Sequence, residues 1–214
     1  MSDEREKVTA HISADELRKL SKMQAEAALM KPWEAEPDHV EFTDEATGLS
    51  CVAHRHPRYK NWCGYVGVDK THPWHGRAYS DKVACAKDWL DNTETRVDDI
   101  GVINVFCANP SELRDGIAPI DLLVRCHGGL TYSGKAYWAK EPDERHWFGF
   151  DCGHAGDLQP GMRSILAEAG CAPRESDDVY RDLEYVKRAL RTAAGDLAKA
   201  TVHAYPVNAQ RTRC

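Results

Sequence analysis

Val179, Leu183, Val186, Leu190, Ala194 and Leu197 recur at spacings of four or three residues near the end of the chain. That period puts them on one face of a helix, and so long an apolar face has to be covered by something. The spacing predicts a helix from about Val179 to Ala200, with Ser176, Asp177 and Asp178 as its N-terminal cap. Two covers are open. The helix either lies across a sheet of its own chain or pairs with another copy, which would make a homodimer through the C-terminal helix.

The middle of the chain supplies candidate strands. HVEFT, a DEATG turn and LSCVAHR read as a hairpin, and WCGYVGV (62–68) as a third strand. IGVINVFC, IDLLVRCHGGLTY and HWFGFDC read as further strands, KTHPWHGRAYS as a loop, SDKVACAKDWL (80–90) and MRSILAEAG as short helices. At the other end, SADE sets Ser13 three residues before Glu16 as a capping box, and a helix over 13–30 follows until Pro32 stops it. The expected fold is therefore α+β: a mostly antiparallel central sheet flanked by an N-terminal helix and a long C-terminal helix. The expected organisation is a helical arm over 1–32, one α+β domain over 33–205 and a flexible polar tail over 206–214.

A chain of 214 residues can bury a core without disulfides or metal. No apolar run approaches a membrane span, and the charged start MSDEREKVTAHIS has no apolar segment of the secretory kind. A net charge of −6 argues against nucleic-acid binding, which needs a basic face; HRHPRYK (54–60) is the densest basic stretch. None of the eight cysteines forms a CxxC pair, so they read as reduced thiols, Cys107 and Cys126 among them as small core residues.

Alternation assigns faces within the strands. In HWFGFDC, Phe148, Phe150 and Cys152 share one face, and Trp147, Gly149 and Asp151 the other. In LLVRCHGG, Arg125 and His127 fall together beside glycines. If the two segments are neighbouring strands, His127, Asp151, His154 and Asp157 converge. Two imidazoles and carboxylates suit a divalent transition metal, Zn, Mn or Fe. In that reading His127, His154 and Asp157 are the metal ligands, Asp151 is the base or a further ligand, and Arg125 holds an anion in a bidentate fork. His72 and Trp74, in the loop around Pro73, and Tyr132 are candidate substrate-binding residues.

Each of these residues also has a plain structural use. His127 fits a hydrogen-bonded strand histidine, Asp157 a cap for a helix starting near Pro160 or Met162, and Asp151 an Asx turn. His54 and His56 fit a solvated strand end. His72 and His75 fit either a binding loop or ordinary packing.

Five blocks in order, GYVGV (64–68), HP (72–73), HGGLTYSG (127–134), WFGFDCGHAGD (147–157) and YRDLEYV (180–186), make the span Trp62–Val186 similar to a family of uncharacterised phage and prophage proteins. That family more usually reads WWFGFDCAHAGD; here His146 stands for the first Trp and Gly153 for the Ala, while Asp151, His154 and Asp157 match. The resemblance implies a protein of the bacterial host cytoplasm, acting on nucleotides, nucleic-acid metabolism or host defence signals. Two functions follow as expectations. One is a small metal-assisted hydrolase acting on a nucleotide or other phosphate-bearing molecule. The other is a non-catalytic protein that sequesters a nucleotide signal or inhibits a host protein, with Trp74, Trp138 and Trp147 forming an aromatic pocket.

Overall fold

The structure is a computed structural model that describes residues 15, 18–19, 31–85, 97–171 and 177–200. The chain divides into two compact units, Met1–Glu36 and Pro37–Cys214. In the first, Asp15, Arg18 and Lys19 are helical and a short helix α1 (Pro32–Ala35) follows. The remainder of the expected 13–30 helix lies outside the described residues.

The second unit is built on a five-stranded sheet in the order β1-β2-β3-β7-β6: β1 His39–Thr43, β2 Ser50–Arg55, β3 Trp62–Val68, β7 His146–Asp151 and β6 Tyr132–Gly134. Every neighbouring pair is antiparallel. A two-stranded ribbon, β4 Lys82–Ala84 with β5 Ile117–Pro119, stands beside it. The helices are α2 Val97–Ile100, α3 Val102–Cys107, α4 Pro110–Arg114, α5 Ile120–Leu123, α6 Met162–Glu168 and α7 Leu183–Ala200. The fold is α+β, with an antiparallel central sheet and a long C-terminal helix.

The alternation in β7 holds. Phe148, Phe150 and Cys152 join the main core with Cys51, Ala53, Trp62 and Val66, and α7 covers it with Val186, Leu190, Ala193, Ala194 and Leu197. The apolar stripe of α7 thus has its cover within the chain. The opposite sheet face carries Val52, Cys63, Tyr65 and Trp147 beneath Tyr132, Ala136 and Trp138. Across β3 and β7 an aromatic ring sits over a glycine at three of four successive pairs: Gly64 with Phe150, Tyr65 with Gly149, and Gly67 with Trp147. A Cβ on Gly149 would stand 2.4 Å from the Tyr65 ring, so this glycine is the space the ring occupies. Each such ring removes a large apolar area from water, about 1.5–3 kcal/mol for a fully buried phenylalanine side chain.

Several expectations are corrected. IGVINVFC forms α3 and the end of α2, not a strand; so short an apolar run carries no periodicity that separates the two. IDLLVRCHGGLTY is the helix α5, then irregular chain, then β6. Within SDKVACAKDWL, Lys82–Ala84 is a strand, and 86–90 lie outside the described residues. The C-terminal helix starts four residues late: Asp182 caps it, its Oδ1 accepting the Tyr185 amide at 2.7 Å, while Val179 is exposed in an isolated bridge to Asp157. Cys51, Cys63, Cys85, Cys126 and Cys152 are buried free thiols and Cys171 is an exposed one; the Cys107 side chain and Cys214 lie outside the described residues. No helix among the described residues is long and apolar enough to cross a membrane.

Candidate functional site

His127 arrives at the site from a turn rather than a strand. After α5 the chain hangs on α2, with the Cys126 amide donating to Asp99 O at 2.7 Å and the Gly128 amide to Asp98 O at 2.8 Å. Gly128 and Gly129 follow at φ +68° and +86°, a left-handed pair that only glycine adopts without strain and that turns the chain back at once. Gly128 also leaves room for His154: a Cβ there would lie 2.4 Å from the imidazole Cε1.

His154 and Asp157 come from the turn after β7, closed by the Asp157 amide on His154 O at 3.0 Å. The bridge of Asp157 to Val179 then lays 179–185 alongside, with the Val179 amide on Gly156 O at 2.8 Å and the Leu158 amide on Val179 O at 2.9 Å. This brings in two residues that sequence reasoning missed as site residues, Arg181 and Tyr185.

His127, His154 and Asp157 each offer a ligand atom, and these atoms all lie within 4.8 Å of one another. Asp157 is the hub. Its Oδ2 is 2.6 Å from His127 Nε2 and accepts the His154 amide at 3.1 Å; its Oδ1 accepts Arg181 Nε at 2.9 Å. Burial pushes the Asp157 carboxyl up, but the hydrogen bonds from His127, Arg181 and the His154 amide, with the His127 charge, together hold it below the usual carboxylate range. On its other side His127 Nδ1 lies 2.8 Å from the Tyr185 hydroxyl. His154 Nδ1 is 3.8 Å from Asp157 Oδ2, buried, and without a hydrogen-bond partner. The cluster could hold a metal ion.

His127 and Tyr185 also form part of the wall of a cleft of about 420 Å³, with Asp99, Arg125, Arg188 and Thr192. Arg125 is not poised there as an anion fork: its Nε and Nη2 bind the buried Asp196 carboxylate at 2.8 and 2.9 Å. Asp151 stands apart from the three ligands. Its Oδ1 accepts the Gly153 amide at 3.0 Å, the Asx turn, and its Oδ2 accepts Thr131 Oγ1 at 3.0 Å. The reason is topological, since β7 pairs with β3 and β6 and not with 122–129.

Asp157 does not cap α6, whose N-cap is Gly161 with no side-chain bond. His72 and Trp74 are core residues: His72 Nε2 is 2.9 Å from Leu197 O, and Nδ1 accepts the Trp74 amide at 3.1 Å. Neither lines the cleft. Trp74 packs in the main core and Trp147 on the opposite sheet face, so Trp74, Trp138 and Trp147 make no common pocket. Tyr132 belongs to a second cavity on the sheet face opposite α7, which also contains Asp151. His54 lies beside His39, with Nδ1 atoms 3.1 Å apart, and His56 Nδ1 accepts the amides of Arg58 and Tyr59.

No family model, curated protein or solved structure matches the chain.

Proposed function

We propose that the protein is a metal-assisted hydrolase of a phosphate-bearing small molecule such as a nucleotide, with His127, His154 and Asp157 holding Zn²⁺, Mn²⁺ or Fe²⁺. The observation that carries this reading is the buried, unpartnered His154 Nδ1 beside His127 and Asp157. A buried polar atom without a partner is disfavoured, and a metal ion gives this one a bond. Two imidazoles and one carboxylate leave coordination positions for water and substrate. A bound divalent ion lowers the pKa of its water and polarises a phosphoryl oxygen. His127 would ligate through Nε2 and donate its Nδ1 proton to Tyr185, the usual outer support of a metal-bound imidazole. Arg188 is the guanidinium we assign to the substrate anion, because Arg125 is engaged by Asp196. Asp99, the only carboxylate among the residues lining the cleft, takes the proton-accepting role first given to Asp151.

Elemental analysis of the purified full chain, equilibrated with each metal and desalted, should find close to one ion per chain, and His154→Ala should lose it. Phosphate release from a nucleotide panel should stop with a chelator and return with the metal. Folded protein that retains none of the three metals would end this reading. The alternative is a binding protein that sequesters a nucleotide signal or inhibits a host protein; the cleft walled by Arg188 would then hold the phosphate without cleaving it. Nucleotide recovered unchanged from a tight complex would favour that alternative. The phage resemblance is the basis for proposing the bacterial cytoplasm as the site of either role.

A further inference from the structure

The second cavity, of about 380 Å³, lies on the sheet face opposite α7. That is a size that takes a small organic ligand. Its walls are aromatic. Tyr65, Tyr132 and Tyr137 meet edge to face with ring centroids 5.5–5.8 Å apart; Tyr65 is covered by Gly149 and Trp138, so the half-buried Tyr132 and the exposed Tyr137 are the rings that can meet a further flat ring.

Its one charged wall group is an acceptor, the Asp151 carboxylate. Asp151 gives each carboxylate oxygen one protein hydrogen bond, to the Gly153 amide and to Thr131, and each oxygen has a further lone pair. Asn61 is 5% exposed, and its Oδ1 is buried with no hydrogen-bond partner. No lysine or arginine is among the residues lining the cavity. An acid and an unanswered amide oxygen, with no cation, select a hydrogen-bond donor and repel an anion.

We infer that this cavity binds an amino-substituted aromatic heterocycle, its ring against the tyrosines and its N–H groups on Asn61 Oδ1 and the Asp151 carboxylate. A fully methylated ammonium has no N–H for the orphaned acceptor, so the aromatic walls alone do not define the ligand. The inference is independent of the metal reading, because none of His127, His154 and Asp157 lines this cavity.

The test is calorimetric titration of the full chain with adenosine, cytidine, inosine and uridine, first with chelator and then with added Zn²⁺. Adenosine or cytidine should bind saturably, and the oxo counterpart of each at least tenfold more weakly, since the exocyclic amino group that can reach two acceptors is replaced by a carbonyl beside a single ring N–H. Tyr137 is 60% exposed, so Tyr137→Ala should stay folded, losing little beyond the 2.6 Å hydrogen bond to Tyr65, while weakening binding about tenfold; Tyr137→Phe, which loses the same bond but keeps the ring, should bind close to wild type. Asp151→Asn should weaken it similarly. Equal affinity for the amino and oxo members of a pair, no saturation by either amino nucleoside at millimolar concentration, or unchanged binding by Tyr137→Ala would each overturn the inference. Binding that requires metal would place the ligand elsewhere and overturn it as well.

Discussion

The Arg125 guanidinium grips the Asp196 carboxylate twice, at 2.8 and 2.9 Å, and the Arg125 amide adds a third bond to it at 3.0 Å. The Asp196 side chain is 1% exposed, so α7 holds the irregular segment that presents His127 through a desolvated charge pair. Lys199 adds a contact at 2.6 Å. Removing one partner leaves the other charge buried, at a cost of about 3–5 kcal/mol. Arg125→Met, which strands the Asp196 carboxylate, should lower stability by about that amount in urea unfolding, and the double variant Arg125→Met/Asp196→Leu by clearly less.

Tyr185→Phe removes the hydroxyl 2.8 Å from His127 Nδ1 and little else, since the ring remains. Loss of an outer partner of a metal-ligating histidine typically weakens metal binding 10–100-fold. Competition with a chromophoric chelator should show that drop with unchanged circular dichroism. Wild-type metal affinity in the variant would mean that His127 does not ligate.

Gly128→Ala acts on the same centre from the other side. The added Cβ would meet the His154 ring at 2.4 Å, and φ +68° strains any L residue, at about 1–2 kcal/mol. The ring can swing aside, which moves Nδ1 away from the other ligands. The expected outcome is a folded protein, a few degrees less thermostable, whose metal content falls on elemental analysis.

Asp121 gives a pH dependence of known sign. It is buried, its Oδ1 has no hydrogen-bond partner, and burial pushes its carboxyl up to about 6 despite the backbone bonds that oppose it. A pKa higher in the folded than in the unfolded chain means that this contribution is complete below pH about 4 and is lost as pH rises through about 6. Asp121→Asn, which keeps the neutral shape, should therefore gain about 1–3 kcal/mol relative to wild type between pH 4 and pH 7. Parallel urea titrations at the two pH values measure it. A constant difference across that range would mean that Asp121 titrates normally.

Elements with strong periodicity were legible without coordinates. The hairpin of β1 and β2, β3, β7 and its two faces, and the stripe of α7 all sit where the alternation and spacing put them, because burial on one side imposes a repeat on the residues themselves. His127, Asp151, His154 and Asp157 were expected to meet across two neighbouring strands; three of them meet, but through the turns after α5 and β7, and Asp151 does not join them. Short apolar runs were not legible. IGVINVFC and IDLLVRC each suit a strand or a helix turn, and contacts distant in sequence decided between them.

Tertiary structure alone settled the partners. Nothing in the order of residues says that Asp196 takes Arg125 away from a ligand, that Leu197 O takes His72, or that Arg181 and Tyr185 close on Asp157 and His127. Those pairings depend on α7 and the strand-like segment before it crossing chain that lies 24–125 residues away. Local repeat records which face of an element is buried. Which side chain meets which across that face is set only when the layers pack.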